Sequence, residues 1–386
     1  VSIKNNSDKL PITVISGYLG SGKTSLLLHL LKCKEQRRIG IIVNDVAEVN
    51  VDAKIIEKSP YFTEEDQLIP LQAGSISSDL SEELIEAVAN LAKSQRVDYI
   101  LVESSGIAQP DLIANYLSQG TTRQQEPLNQ FCYMDTMVSV VDAYRLLQQV
   151  IPENGKFNEE FQNSNQLIMH QIEFCDVVLF NKIDLIQEKE KQYLSALIKS
   201  INPHVAIIES TYCQVPVRKV MDTQLFNQQK AFDYFEHNPV IAQQENSEFT
   251  VQTFVYRRRA PFHPERFDAW LNHWPKEVIR CKGVVWFGTQ PENVINISQA
   301  GRAMDITHSG YWIATLKNWE IEKMKTIRQH LTDIWDDYYG DRMIELVFIG
   351  TNLNQQKMIH ELDECLMKEE ETIVGLKDPF QPQVDK

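Results

Sequence analysis

The apolar run Ile12 to Ser16 leads into Gly17-Tyr18-Leu19-Gly20-Ser21-Gly22-Lys23-Thr24, which is followed at once by Ser25-Leu26-Leu27-Leu28-His29-Leu30-Leu31. This strand, glycine loop and helix in the order G-x-x-x-x-G-K-[ST] constrains the chain more than any other feature. A match of this kind arises by chance on the order of once in a hundred chains of this length, before its flanks are considered. Glycines let the loop bend so that successive backbone N–H groups point inward at phosphate oxygens, and the helix N-terminus adds positive potential. Lys23 is expected to reach the β- and γ-phosphates, and the Thr24 hydroxyl to ligate Mg²⁺. Gly17, Gly20, Ser21, Gly22 and Ser25 complete the expected phosphate-binding set.

The surrounding sequence supplies the sheet that such a loop needs. Ile39 to Val43, Tyr99 to Glu103, Val138 to Asp142, Val177 to Asn181 and Val205 to Glu209 are short β-branched runs separated by helical stretches. They are continuously apolar rather than alternating, the pattern of a mostly parallel α/β sheet covered on both faces. With 386 residues the chain has room for a second unit. Met221 to Glu248 is rich in Gln, Asn and acidic residues, so the boundary is expected there. Beyond it, strands are expected at Phe249 to Arg257, Gly283 to Thr289, Val294 to Ser298, Tyr311 to Ala314 and Ile344 to Ile349. Helices are expected at Pro264 to Asn272, Glu320 to Trp335 and Gln355 to Met367. Strands clustered between helices suggest an α+β unit with an antiparallel sheet.

Two further strand ends carry chemistry. Tyr99-Ile100-Leu101-Val102 delivers Glu103, then Ser104-Ser105-Gly106. Glu103 is placed to hold a Mg²⁺-bound water, and Gly106 to let a backbone N–H sense the γ-phosphate. Asn181-Lys182-Ile183-Asp184 closes the run Val177 to Phe180. A carboxylate at Asp184 accepts from the N1–H and N2–H₂ donors of guanine, a pair adenine lacks, so the nucleotide is expected to be GTP. The Lys182 stem packs along the base, and Asn181 ties the loops together. Glu209-Ser210-Thr211 stands where a further base-contacting loop is expected.

Lys plus Arg number 38 against 53 Asp plus Glu, a formal charge of -15, which argues against nucleic acid or an anionic membrane as the main partner. Six cysteines lie far apart without a C-x-x-C pair, as reduced thiols do. The N-terminus lacks the apolar core of a signal peptide, and no apolar run approaches the roughly 18 residues that span a bilayer. A soluble, cytoplasmic protein is expected.

The order of these motifs, with Asn44-Asp45-Val46-Ala47-Glu48-Val49-Asn50-Val51-Asp52 between the first two, resembles the CobW-like GTPases, a family of metal chaperones. Segments Tyr256 to Phe267, Val278 to Thr289 and Gly340 to Asn354 look like signatures of that family's C-terminal domain. The resemblance implies a P-loop NTPase domain over 1–225, a linker over 226–248 and a smaller CobW-like α+β domain over 249–386. It also implies slow GTP hydrolysis coupled to zinc or cobalt delivery. The family's switch segment reads Asn-Glu-Phe-Gly-Glu; here Val46-Ala47 replace the aromatic-glycine pair, while Asp45, Glu48 and Asp52 keep the acidic character.

One departure bears on cargo. The family's metal site is Gly-Cys-x-Cys-Cys, and the matching stretch here is Gly74-Ser75-Ile76-Ser77-Ser78. A serine hydroxyl stays protonated near neutral pH and is a hard, weak ligand, so Ser75, Ser77 and Ser78 fit a turn and helix cap better than tight Zn²⁺ binding. Asp45 and Glu48 remain weak candidates for a metal. A histidine-rich loop is missing: His237 stands alone, and His263 fits a structural hydrogen-bonder.

The leading expectation is therefore a GTP/GDP-binding protein of low intrinsic GTPase activity, in which Lys23, Thr24 and Glu103 serve the phosphates and Mg²⁺. GTP is expected to switch the segments Asp45 to Asp52 and Ser75 to Ser78. A client metalloprotein engaged through the C-terminal domain, and pairing of two copies upon GTP binding, are compatible with such a switch. The competing readings are a nucleotide-dependent docking switch that has lost metal handling and an ATP-dependent small-molecule kinase.

Overall fold

Strands without polar alternation must be buried on both faces, and the first sheet meets that demand. The computed structural model describes residues 9–45, 51–72, 78–150, 165–227, 251–300, 303–327, 330–368 and 370–381. The chain divides into two compact units, Val1–Pro239 and Val240–Lys386. In the first, the elements run β1 Leu10–Ser16, α1 Lys23–Lys32, β2 Ile39–Asp45, α2 Val51–Glu57, β3 Gln67–Gln72, α3 Ser78–Ser94, β4 Tyr99–Glu103 and α4 Pro110–Gln119. They continue with β5 Cys132–Asp142, α5 Ala143–Val150, α6 Asn165–Glu173, β6 Val177–Asn181, α7 Glu188–Ile201 and β7 Ala206–Ser210.

The strands lie in the order β3-β2-β4-β1-β5-β6-β7, every pair parallel. On one face Ile12, Val14, Ile100 and Val102 pack against Leu84, Val88 and Leu91 of α3 and Ile113 and Leu117 of α4. On the other, Ile15, Leu101, Val138, Val140 and Leu179 meet Leu26, Leu27, Leu30 and Leu31 of α1. Those four leucines form one helical stripe, and each buried side chain contributes about 1.5–3 kcal/mol. The loop after β1 is thereby fixed beside the end of β4, where Glu103 pairs in register with Ile15. Asp142 and Asn181 end β5 and β6 side by side.

β3 is not among the expected strands, and its sequence Gln-Leu-Ile-Pro-Leu-Gln carries Pro70. It is an edge strand paired only to β2, with Pro70 opposite Val43, and an edge tolerates the missing N–H.

β1 and β5 slip register between Ile12 and Thr13, which leaves Asp135 as the extra residue. It is fully buried. Its carboxyl accepts from the Tyr99 hydroxyl at 2.6 Å, the Thr136 hydroxyl at 2.7 Å and the backbone N–H groups of Thr223 and Gln224 at 3.1 and 2.8 Å. Burial, and then the neighbouring Asp135, push the Tyr99 phenol well above its ordinary value. This latch ties Thr223 and Gln224 to the sheet.

The second unit comprises β8 Val251–Arg258, α8 Pro264–Leu271, β9 Val278–Val285, β10 Asn293–Ala300, β11 Ala303–Tyr311, α9 Asn318–Ile327, α10 His330–Ile334, β12 Ile344–Thr351 and α11 Gln355–Glu364. Its five strands form an antiparallel sheet in the order β11-β10-β9-β12-β8. Stacked rings fill the core, including Phe262 on Phe267 at 4.3 Å and Phe254 on Phe348 at 5.0 Å.

Two expectations here need correction. The strand expected to begin at Gly283 begins at Val278, and Gly283 sits within it at φ 157°, where any Cβ would run into the Glu345 carbonyl of β12. Instead of a strand at Tyr311 to Ala314, the polar edge strand β11 ends at Tyr311, and the Asp341 carboxylate takes the N–H groups of Ile313 and Ala314, each at 2.8 Å, to turn the chain. The helix expected from Glu320 to Trp335 is described over Asn318–Ile327 and His330–Ile334, and it stops where the Arg259 guanidinium binds the Ile334 carbonyl. Among the described residues no helix is long and apolar enough to cross a membrane.

Replacing Asp135 by alanine strands two buried backbone N–H groups and the Tyr99 hydroxyl. Urea unfolding is expected to show a loss of about 3 kcal/mol, and a loss below ~1 kcal/mol contradicts the latch.

Candidate nucleotide site

The loop after β1 bends through Gly17, Gly20 and Gly22, all at positive φ. Gly22 shows why the last must be glycine. Its φ is 114°, and an added Cβ would lie 2.7 Å from Asn181 Nδ2 and 2.8 Å from Cys213 Sγ. Lys23 and Ser21 are buried, Ser25 is exposed, and the Ser21 hydroxyl has no hydrogen-bond partner among the described residues.

At Thr24 two carboxylates meet one hydroxyl. Thr24 Oγ1 lies 2.8 Å from Asp52 Oδ1 on α2 and 3.1 Å from Glu103 Oε1 at the end of β4. One hydroxyl has a single proton to donate, and two carboxylates this close repel unless a cation sits with them. Three hard oxygen groups suit Mg²⁺. Glu103 is 1% exposed, so its charge is poorly screened by water. Two residues beyond Ser104, Gly106 is buried against the side chain and backbone of Leu19 in the phosphate loop.

The end of β6 reaches the same loop. Asn181, 2% exposed, donates from Nδ2 to the Ser21 carbonyl at 2.9 Å and accepts the Cys213 N–H on Oδ1 at 3.0 Å. Lys182 turns the chain at φ 61° and sends Nζ to the Gly20 carbonyl at 2.9 Å and to Asp142 Oδ2 at 2.6 Å. Asp184 follows in the single turn Ile183–Leu185, exposed, its carboxylate without a partner among the described residues.

Several contributors escaped the sequence reading. Asp52 had been noted only for its acidity. Asp142, which anchors Lys182, ends its strand as Glu103 does, a signal the same reasoning applied there would have found. The Arg145 guanidinium lies 4.3 Å above the Tyr18 ring in the phosphate loop, and the Arg145 backbone N–H donates to Asp142 Oδ1 at 3.0 Å.

The metal candidates fare differently. Glu48, Ser75, Ser77 and His237 lie outside the described residues, while Asp45 closes β2 and Ser78 opens α3. Among the described residues no three His, Cys, Asp or Glu side chains gather as a metal site. His263 precedes α8 and gives its backbone N–H to the Cys365 carbonyl at 2.8 Å, while its ring Nδ1 is buried with no hydrogen-bond partner among the described residues. All six cysteines are unpaired thiols, and burial pushes the Cys213 thiol up to about 12, so it is protonated near neutral pH.

Substituting Gly22 by alanine strains the phosphate loop and displaces Asn181 together. Titration calorimetry with GDP is expected to show affinity reduced on the order of 10- to 100-fold, and unchanged affinity would contradict this packing.

Comparison with known proteins agrees with both units. The CobW/HypB/UreG nucleotide-binding domain pattern matches residues 11–209, and the cobalamin synthesis protein cobW C-terminal domain pattern matches residues 251–366. A Dictyostelium discoideum protein named zinc-regulated GTPase metalloprotein activator 1 is 34% identical over 98% of this chain and 84% of its own length. The zinc chaperone CobW of Pseudomonas aeruginosa is 26% identical over 54% of this chain and 58% of its own length. The zinc-regulated GTPase metalloprotein activator 1 of Saccharomyces cerevisiae is 24% identical over 59% of this chain and 54% of its own length.

Proposed function

The chain belongs to the CobW family of nucleotide-binding proteins, and on that premise we propose that it is a slow GTPase switch whose nucleotide state governs a metal-handling or client-docking step. The observation that supports guanine is the strap Asn181-Lys182-Ile183-Asp184, fastened to the phosphate loop by two hydrogen bonds with an open carboxylate beyond them. Backbone N–H groups from Gly17 to Thr24 receive the phosphates, Lys23 takes the β- and γ-oxygens, and Asp184 accepts from the guanine edge.

Thr24, Glu103 and Asp52 are the residues that would hold Mg²⁺, directly or through water. When bound, it neutralises charge on the β- and γ-phosphates. The γ-phosphate orders the segment Asp45 to Asp52, the stretch near Ser75 to Ser78 and Gly106, and hydrolysis releases them. Turnover is slow in this reading, and a partner that supplies a glutamine or arginine for the attacking water is expected to accelerate it. The six unpaired thiols support a reducing, cytoplasmic setting. The three relatives named above carry zinc in their names as chaperone or zinc-regulated activator, and delivery to a client metalloprotein through the C-terminal domain is the corresponding step here.

A second reading rests on Ser75, Ser77 and Ser78, which replace soft thiolates by neutral hydroxyls. In it the switch keeps its nucleotide cycle and docks a client without carrying metal.

Asp184→Asn removes a charged acceptor for two guanine donors. Expected is a ~100-fold loss of GTP affinity together with gained affinity for XTP, whose base offers the complementary pattern. Unchanged GTP binding would remove Asp184 from this role. Zinc calorimetry with and without a non-hydrolysable GTP analogue separates the two readings. The metal-handling reading expects affinity that depends on nucleotide, strengthened by Ser75→Cys, Ser77→Cys and Ser78→Cys together, whereas the docking reading expects no coupling in the unmodified chain.

A further inference from the structure

Tyr212 is the most exposed of the large apolar side chains described in the first unit, at 78% of its surface. It is nonetheless not on a slack tip. Tyr212 and Cys213 stand at φ 53° and 57°, two successive non-glycine residues in the left-handed region, which side chains of this size rarely adopt. Such backbone strain persists only where surrounding contacts over-determine it.

Those contacts are present on both sides. The Cys213 N–H is held by Asn181 Oδ1 at 3.0 Å and its thiol donates to the Gly22 carbonyl at 3.2 Å. Before and after the pair, the Ser210 hydroxyl donates to the Gln214 carbonyl at 3.3 Å and the Gln214 N–H to the Thr211 carbonyl at 3.2 Å. The structure therefore fixes a phenol ring in solvent, one residue from the atom that ties this loop to the base-reading strap. Among the described residues no ring contact or hydrogen bond uses its side chain.

Resting on the nucleotide reading above, we infer that Tyr212 is a base-stacking residue that covers the purine face opposite the Lys182 stem. Lys182 is drawn back against the loop by Gly20 and Asp142, so its methylenes lie along one face of the base. The strained turn presents an aromatic plane to the other. A purine of either kind has such a face, so stacking adds affinity while Asp184 supplies the choice of guanine. The open phenol is thus half of a sandwich that the nucleotide completes.

The test uses the full chain with Mg²⁺ and compares Tyr212→Ala and Tyr212→Phe with the parent by calorimetry against GDP, GTP and inorganic triphosphate. Expected for Tyr212→Ala is an equal loss for GDP and GTP of roughly 5- to 50-fold, with inorganic triphosphate binding unchanged. Tyr212→Phe should stay within about twofold of the parent, because the plane and not the hydroxyl acts. In Tyr212→Trp, indole emission should change with GDP and not with triphosphate. GDP affinity of Tyr212→Ala within about twofold of the parent overturns the inference, as does a parallel loss of triphosphate binding, the mark of a loop that merely shapes the fold. A parent that prefers ADP to GDP contradicts the guanine reading alone; the same variants titrated with ADP then decide Tyr212.

Discussion

One buried amide joins the three loops on which the site depends. Asn181 reaches the phosphate loop through the Ser21 carbonyl and the loop after β7 through the Cys213 N–H, with 2% of its surface exposed. In that environment each bond is hard to replace by water, so losing one leaves a buried polar group unpaired. The loop after β1 and the strap that ends in Asp184 are therefore not independent. The absence of a Cβ at Gly22 is what lets the amide come close enough.

A second constraint is electrostatic. Asp52 and Glu103 approach the same Thr24 hydroxyl from different elements, α2 and β4, and like charges brought together this way favour a bound cation. Asp52 also belongs to the segment expected to respond to the γ-phosphate. A cation at Thr24 would thus connect the phosphate loop to the switch through one short chain of oxygens, which gives nucleotide state a direct means of biasing that segment.

Much of this was legible in the sequence. The glycine loop, the strand that delivers Glu103 and the strand that delivers Asn181 all fell where periodicity and burial put them, because continuous apolar runs leave little choice of partner face. Legibility failed at the margins of sheets. β3 carries a proline and β11 is largely polar, and both succeed as edge strands, a placement that pairing decides and local composition does not. In the site, Arg145 contacts Tyr18, a neighbour distant in sequence, so nothing at its own position announced it, whereas Asp142 ends its strand as Glu103 does. The serine-substituted family motif remains legible only as chemistry: hydroxyls at 75, 77 and 78 bind zinc poorly whatever their arrangement.

The central claim is that a strap fastened by Asn181 and ending in Asp184 makes the phosphate loop a guanine-nucleotide site. Its most direct test is equilibrium binding of GDP against ADP to the purified chain in Mg²⁺. The account predicts that GDP binds at least ~100-fold more tightly, the worth of two hydrogen bonds to a charged acceptor. Equal affinity for the two nucleotides, or no binding of GDP, would contradict it.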